Sequence, residues 1–180
     1  MVEAIRLQAP AYRTAGDGSL AGVIAMVLVT VLGAHVAVRL PFTPVPVTLQ
    51  VFGVLLSGLV LRPRQALATQ LAYVGGGALG IPWLAGGAAL PGTVVLTAGY
   101  LAGFVVAAPL VSRVRTRAGA PLAALLGVGV VHLAGTLFLG LVTGSSPWQA
   151  FLLGSAPFLP LDGLKALAAA AVARTLVPRD

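Results

Sequence analysis

Toward the C-terminal end of the chain, the segment PFLPLDGLKALAA sets Asp162 and Lys165 three residues apart in otherwise apolar sequence. That spacing puts both side chains on one face of a helix. There a carboxylate offers acceptors, an ammonium offers three donors, and the two charges offset each other. Lys165 is the only lysine in the chain, and it falls in the outer half of an apolar stretch. A charged group near the middle of a membrane span costs about 2.5–3.5 kcal/mol on insertion scales, which makes the pair a functional candidate. Two structural explanations stand beside that reading. Asp162 follows Pro160 in what reads as a first helical turn, where an acidic group complements the positive helix end. Lys165 can also snorkel to the outer surface.

The other groups able to recognise a ligand are Thr43, Thr48, Gln50, Tyr73, Trp83 and Tyr100. Together with the charged pair they suit a small amphiphilic molecule. Its carboxylate would meet a cation, its amide-like groups would meet donors and acceptors, and its alkyl part would meet aromatic walls. His35 and His132 lie far apart inside apolar runs and read as packing residues. The chain has no cysteine, so it has no disulfide, thiol nucleophile or thiolate metal site. The reading therefore includes no catalytic residue, no metal site and no cofactor. No series of carboxylates crosses the apolar segments, and no phosphate-binding glycine loop with its lysine is present. A binding site without an engine points to an engine on another chain.

These residues sit in a sequence that cannot cover itself for water. Hydrophobic residues make up 58% and charged residues 8%, against about 25% charged in soluble domains. The mean hydropathy is +1.02. The net charge of +7 does not indicate nucleic acid, because the arginines stand singly or in short clusters between apolar runs. The pattern predicts an all-α, integral membrane bundle of six transmembrane helices, over about 20–38, 47–61, 65–81, 93–112, 120–142 and 159–177. Residues 1–19 form a cytoplasmic segment with no compact cleavage pattern, so the first span is expected to be retained.

Arginine placement sets the orientation. Arg6 and Arg13 precede the first span, Arg62 and Arg64 separate the second and third, and Arg113, Arg115 and Arg117 separate the fourth and fifth. Arg174 and Arg179 close the sixth, while the opposite-side connections hold only Arg39. The positive-inside rule then puts both termini in the cytoplasm of a plasma-membrane protein. The outer connections are uncharged and rich in turn-formers, notably RLPFTPVPVTLQVF at 39–52, whose prolines stop the first span. They are expected to fold over the outer face of the bundle, lining a cavity, because irregular backbone at that depth needs such cover. Small residues recur at four-residue spacing, Ala21 with Ala25 and Gly99 with Gly103, which suits packing inside the bundle or, for the first span, docking to a partner membrane protein.

The blocks GAHVAVRLPFTPVPVTLQVF, YVGGGALGIPWLAGG, GYLAGF and PFLPLDGLKALAA resemble, in this order, the BioY family. That family comprises the biotin-specific S components of energy-coupling factor (ECF) vitamin transporters. The resemblance covers roughly residues 20 to 175 and implies six helices and an outward-facing biotin site. It also implies partners that supply the energy, namely a transmembrane coupling subunit and ATPase subunits. It assigns the proline loop to a lid, the positions of Asp162 and Lys165 to ligand binding, and Ala21 and Ala25 to docking on the coupling subunit. Two departures stand out: LTAGY has Leu96 and Ala98 where the family commonly has proline and glycine, implying a more helical start to the fourth span. Trp83 replaces a smaller apolar residue, implying a narrower pocket. The competing readings are an S component for another small vitamin and a membrane enzyme using Asp162 or Lys165.

Overall fold

The computed structural model describes residues 19–85 and 91–177. Arg6, Arg13 and Arg179, and residues 86–90 of the connection expected on the outer side, lie outside these. The element order is α1 (Leu20–His35), β1 (Ala37–Val38), β2 (Val47–Thr48), α2 (Gln50–Val60), α3 (Pro63–Ala78), α4 (Pro91–Ala118), α5 (Ala120–Thr143), α6 (Pro147–Gly154) and α7 (Leu159–Leu176).

Local sequence explains most of the boundaries. Ser19 caps α1 by accepting from the Gly22 N–H at 3.4 Å. Pro63 opens α3, where the missing N–H costs nothing. Gly119 takes a positive φ of 78° in the turn from α4 to α5, a conformation that a side chain would strain. Gly144 ends α5 in the left-handed region. Ser146 and Gln149 then form a reciprocal capping box at the start of α6.

Helix α2 is the axis of the bundle. Ten of its eleven residues are buried, and it packs against α1, α3, α4, α5 and α7. At 1.5 Å per residue it is about 16 Å long, roughly half a hydrocarbon core. The expected second span at 47–61 is thus helical only from Gln50, because Val47 and Thr48 pair with Val38 and Ala37 in an antiparallel ladder. The same ladder ends α1 at His35, short of the expected residue 38. The prolines at 41, 44 and 46 lie in the irregular loop between the two strands.

Two further boundaries differ from the sequence expectation. Helix α4 runs on to Ala118, so Arg113, Arg115 and Arg117 belong to the helix and not to a connector. Arg115 is buried there and donates through Nη1 to the carbonyls of Gly58 and Leu59, where a cation complements the C-terminal end of α2. The connector at 144–158 also contains the short helix α6. Helix α4 from Val95 and helix α5 are each long and apolar enough to cross a membrane. Helices α6 and α7, bent by 56° at the break between them, satisfy that test as a pair.

Close helix approach depends on glycine. A Cβ at Gly99 would lie 2.3 Å from Phe138 Cβ, and one at Gly103 would lie 3.0 Å from Val131 Cα, so these two residues seat α4 on α5. Gly58 does the same for α2 on α4, since its Cβ would fall 2.6 Å from the Ala108 carbonyl oxygen. Ala21 and Ala25 are exposed on α1, beside Leu20, Ile24 and Leu28. Gly58→Ala is expected to cost about 1–3 kcal/mol, because backbone cannot yield as a side-chain tip can. Gly129→Ala, with nothing within 4 Å of the new Cβ, should leave stability unchanged or slightly higher. Thermal melts of the two variants in one detergent check the contrast.

Candidate functional site

The hairpin built by the proline loop closes back on the bundle at its base. The Leu49 N–H donates to the carbonyls of Gly33 and Val36, at 3.0 and 3.2 Å, tying the start of α2 to the end of α1. The side chain of Thr43, at the far end of the loop, donates to the Leu153 carbonyl of α6 at 2.6 Å. Between these two attachments the loop roofs a cavity that encloses about 620 Å³ including its mouth.

The polar lining includes Thr48, Gln50, Thr97, Tyr100, His132, Asp162 and Lys165; Leu84, Phe104 and Phe158 contribute apolar wall. Pro160 sits in the first turn of α7, which delivers Asp162 from that turn and Lys165 one turn later. Lys165 Nζ donates to Asp162 Oδ1 at 2.6 Å and to the Thr48 carbonyl at 2.7 Å. The two side chains are 12% and 6% exposed. Asp162 is the only acidic residue between Asp17 and Asp180. This pair therefore carries all the formal charge on the cavity wall, and Lys165 joins helix α7 to the roof of the cavity. Neither a bare helix cap nor a lysine snorkelling to solvent describes that arrangement.

Gln50 is held in place by three bonds to two hydroxyls. Its Oε1 accepts from Thr48 Oγ1 at 2.9 Å, its N–H donates to the same oxygen, and its Nε2 bonds to the Tyr73 hydroxyl. Tyr73 is fully buried behind Gln50. Trp83 donates from Nε1 to the Tyr73 carbonyl at 2.9 Å and stacks on its ring at 6.2 Å. Tyr100 donates to the Gly154 carbonyl at 2.6 Å.

Of the residues singled out from sequence, Gln50, Tyr100, Asp162 and Lys165 reach the cavity, as does Thr48. Thr43, Tyr73 and Trp83 do not line it; they brace the loop and the back of Gln50. Trp83 lies against Gly76, filling space that a Cβ there would occupy, so it packs on α3 and does not narrow the cavity. The chain is helical through Leu96 and Ala98, in line with the loss of proline and glycine at those positions.

One lining residue was not among the site residues picked from sequence. His132, read as a packing residue, holds Asp162 Oδ2 through Nε2 at 2.9 Å and faces Ser155 Oγ through Nδ1 at 2.9 Å. Ser155 in turn meets Thr136 Oγ1 at 2.5 Å. The only signal in the sequence was a polar ring within an apolar helix, which demands a partner but does not name it. Although Ser155, His132 and Asp162 are connected as in a nucleophile relay, Ser155 is 1% exposed and off the cavity wall. It presents no hydroxyl to a ligand.

The sequence profile of the BioY family matches residues 9–179. This chain belongs to the BioY family. Among curated BioY proteins it is similar to the probable biotin transporter BioY of Pyrococcus horikoshii, 36% identical over 153 residues, covering 83% of this chain and 90% of that protein. It is also similar to the biotin transporter BioY of Rhizobium etli, 31% identical over 166 residues, with 83% and 87% covered. Its fold matches the crystal structure of the S-component for biotin from an ECF-type ABC transporter, with a TM-score of 0.80 at 21% identity, over 87% of this chain and 89% of that one. The family read from the PFTPVPVTLQ and PFLPLDGLK blocks is therefore the one found, and the S-component fold carries the cavity.

Within this BioY fold the charged pair should behave as a unit. Removing one member of a buried pair costs about 3 kcal/mol or more, because the other charge stays behind. Lys165→Met is expected to destabilise the bundle, and Lys165→Met combined with Asp162→Asn should recover most of the loss. Unfolding of the single and double variants in detergent measures it.

Proposed function

We propose that this chain is a substrate-binding membrane subunit for biotin uptake, capturing biotin outside and delivering it with an ECF ATPase module. The observation that carries this reading is the Lys165–Asp162 pair, 2.6 Å apart, on the wall of a roofed cavity in a BioY-family chain. Biotin combines a carboxylate, a hydrogen-bonding ureido ring and an apolar body, which are the features this wall complements. Lys165 neutralises the carboxylate, and Asp162 orients Lys165 and accepts from the ureido N–H groups. Gln50 and Tyr100 complete the polar contacts. Tyr73 and Trp83 stiffen the wall from behind, and Thr43 latches the roof to α6.

In this reading the six spans are α1, α2, α3, α4, α5 and α7, with α6 on the outer side and both termini in the cytoplasm of the plasma-membrane protein. The arginines at the α2–α3 turn and at the ends of α4 and α7 support that orientation. Ala21 and Ala25, exposed on α1, form the docking face for the transmembrane coupling subunit. The roof opens to admit biotin, closes over it, and the loaded bundle reorients when the ATPase subunits act. The chain itself performs no chemistry on the ligand.

Equilibrium binding to the purified protein tests the ligand. The wild type should bind biotin, and Lys165→Ala should weaken binding by about tenfold or more, as expected for loss of a buried charge contact. Binding of another vitamin in place of biotin would transfer the site to that compound. Topology has its own test, helped by the absence of native cysteine. A cysteine placed at Arg39 should react with an impermeant reagent added to intact cells. One placed at Arg64 should react only after the membrane is opened.

A further inference from the structure

The charge balance of the cavity leaves one difficulty for any ligand that bears a carboxylate. When the ligand shares Lys165, Asp162 loses part of its own compensation inside an apolar bundle, where an unmatched carboxylate is costly. The terminal torsion of an aspartate is also broad, so Lys165 alone does not fix where the carboxylate points.

His132 meets both needs. It lies on α5, 6% exposed, and lines the cavity beside Asp162. Among the described residues its ring meets Asp162 from α7, with Lys165 beyond it; Ser155 from the α6–α7 turn; and the ring of Tyr100 from α4, edge-on at 6.3 Å. With Asp162 ionised and the ring neutral, the contacts fit one order: Asp162 only accepts, from Lys165 on one oxygen and from the His132 Nε2–H on the other. Nδ1 then accepts from the Ser155 hydroxyl, and Ser155 Oγ accepts from Thr136. The ring is thus anchored on one side by two hydroxyls and applies its N–H to one carboxylate oxygen, leaving the other for Lys165.

We propose that His132 is a positioning residue of the ligand site: it holds Asp162 in place and compensated while Lys165 is shared with the ligand carboxylate. This rests on the reading of the cavity as a site for a carboxylate-bearing vitamin.

Two measurements test it. The chain has only two histidines, so ¹⁵N-imidazole labelling with a His35→Gln reference assigns both rings. In ligand-free protein His132 should appear as the Nε2–H tautomer, and Asp162→Asn should shift its signals. A tautomer-averaged ring that ignores Asp162→Asn would overturn the proposal without any ligand. With biotin, His132→Ala should weaken binding about tenfold, and His132→Gln, which can return an N–H to Asp162, should stay within about threefold. Ser155→Ala, which frees the ring but keeps it, should fall between the two and serves if His132→Ala does not fold. If Ser155→Ala matches the wild type, or His132→Gln is as weak as His132→Ala, the positioning role is wrong. Failure of the wild type to bind biotin would instead remove the proposed ligand, leaving the labelling result to decide the His132–Asp162 contact.

Discussion

A carboxylate carried into an apolar bundle must find donors there or be lost, and Asp162 is that carboxylate. It accepts from Lys165 on one oxygen and from His132 on the other, at 2.6 and 2.9 Å. Much of the cavity end of the bundle is arranged around these two bonds. Helix α7 has Pro160 in its first turn just ahead of Asp162; α5 supplies His132 and Thr136; the α6–α7 turn supplies Ser155. Lys165 then reaches across to the Thr48 carbonyl, so the buried charge and the cavity roof are joined through one ammonium group.

The roof follows from the same economy. Three prolines and the two-residue ladder leave few backbone donors to satisfy, and the remaining groups are taken up locally. Leu49 bonds to the end of α1, and Thr43 bonds to the end of α6. Three successive residues, Leu153, Gly154 and Ser155, therefore engage the loop, the Tyr100 wall and the His132–Asp162 contact in turn. A change at the charged pair is mechanically close to the loop above it, and this matters for a subunit that must hold a ligand before passing it on.

How much of this was legible beforehand depended on the range of the interaction. The apolar helices and the pairing of Asp162 with Lys165 were readable from hydropathy and from helical spacing, both local properties. The end of α1 and start of α2 were not, because the ladder between Ala37–Val38 and Val47–Thr48 interrupts apolar sequence that hydropathy treats as continuous. Arg115 was assigned to a connector since arginine clusters usually mark helix ends, whereas here the carbonyls of α2 make a buried place for it. His132 was passed over because its partners, Ser155 and Asp162, lie 23 and 30 residues away, beyond the reach of any helical spacing rule. Thr43 and Trp83 were expected to meet the ligand, whereas their side chains bond to the backbone carbonyls of Leu153 and Tyr73.

The central claim is that Lys165 is the ammonium that receives the ligand's carboxylate. Because it is the only lysine in the chain, ¹⁵N-lysine labelling yields one side-chain ammonium signal without assignment. Titrating that signal with biotin and, separately, with a biotin ester gives the most direct reading. The account predicts a saturable shift with biotin and a much smaller one with the ester. A Lys165 signal that stays in place at saturating biotin would contradict it.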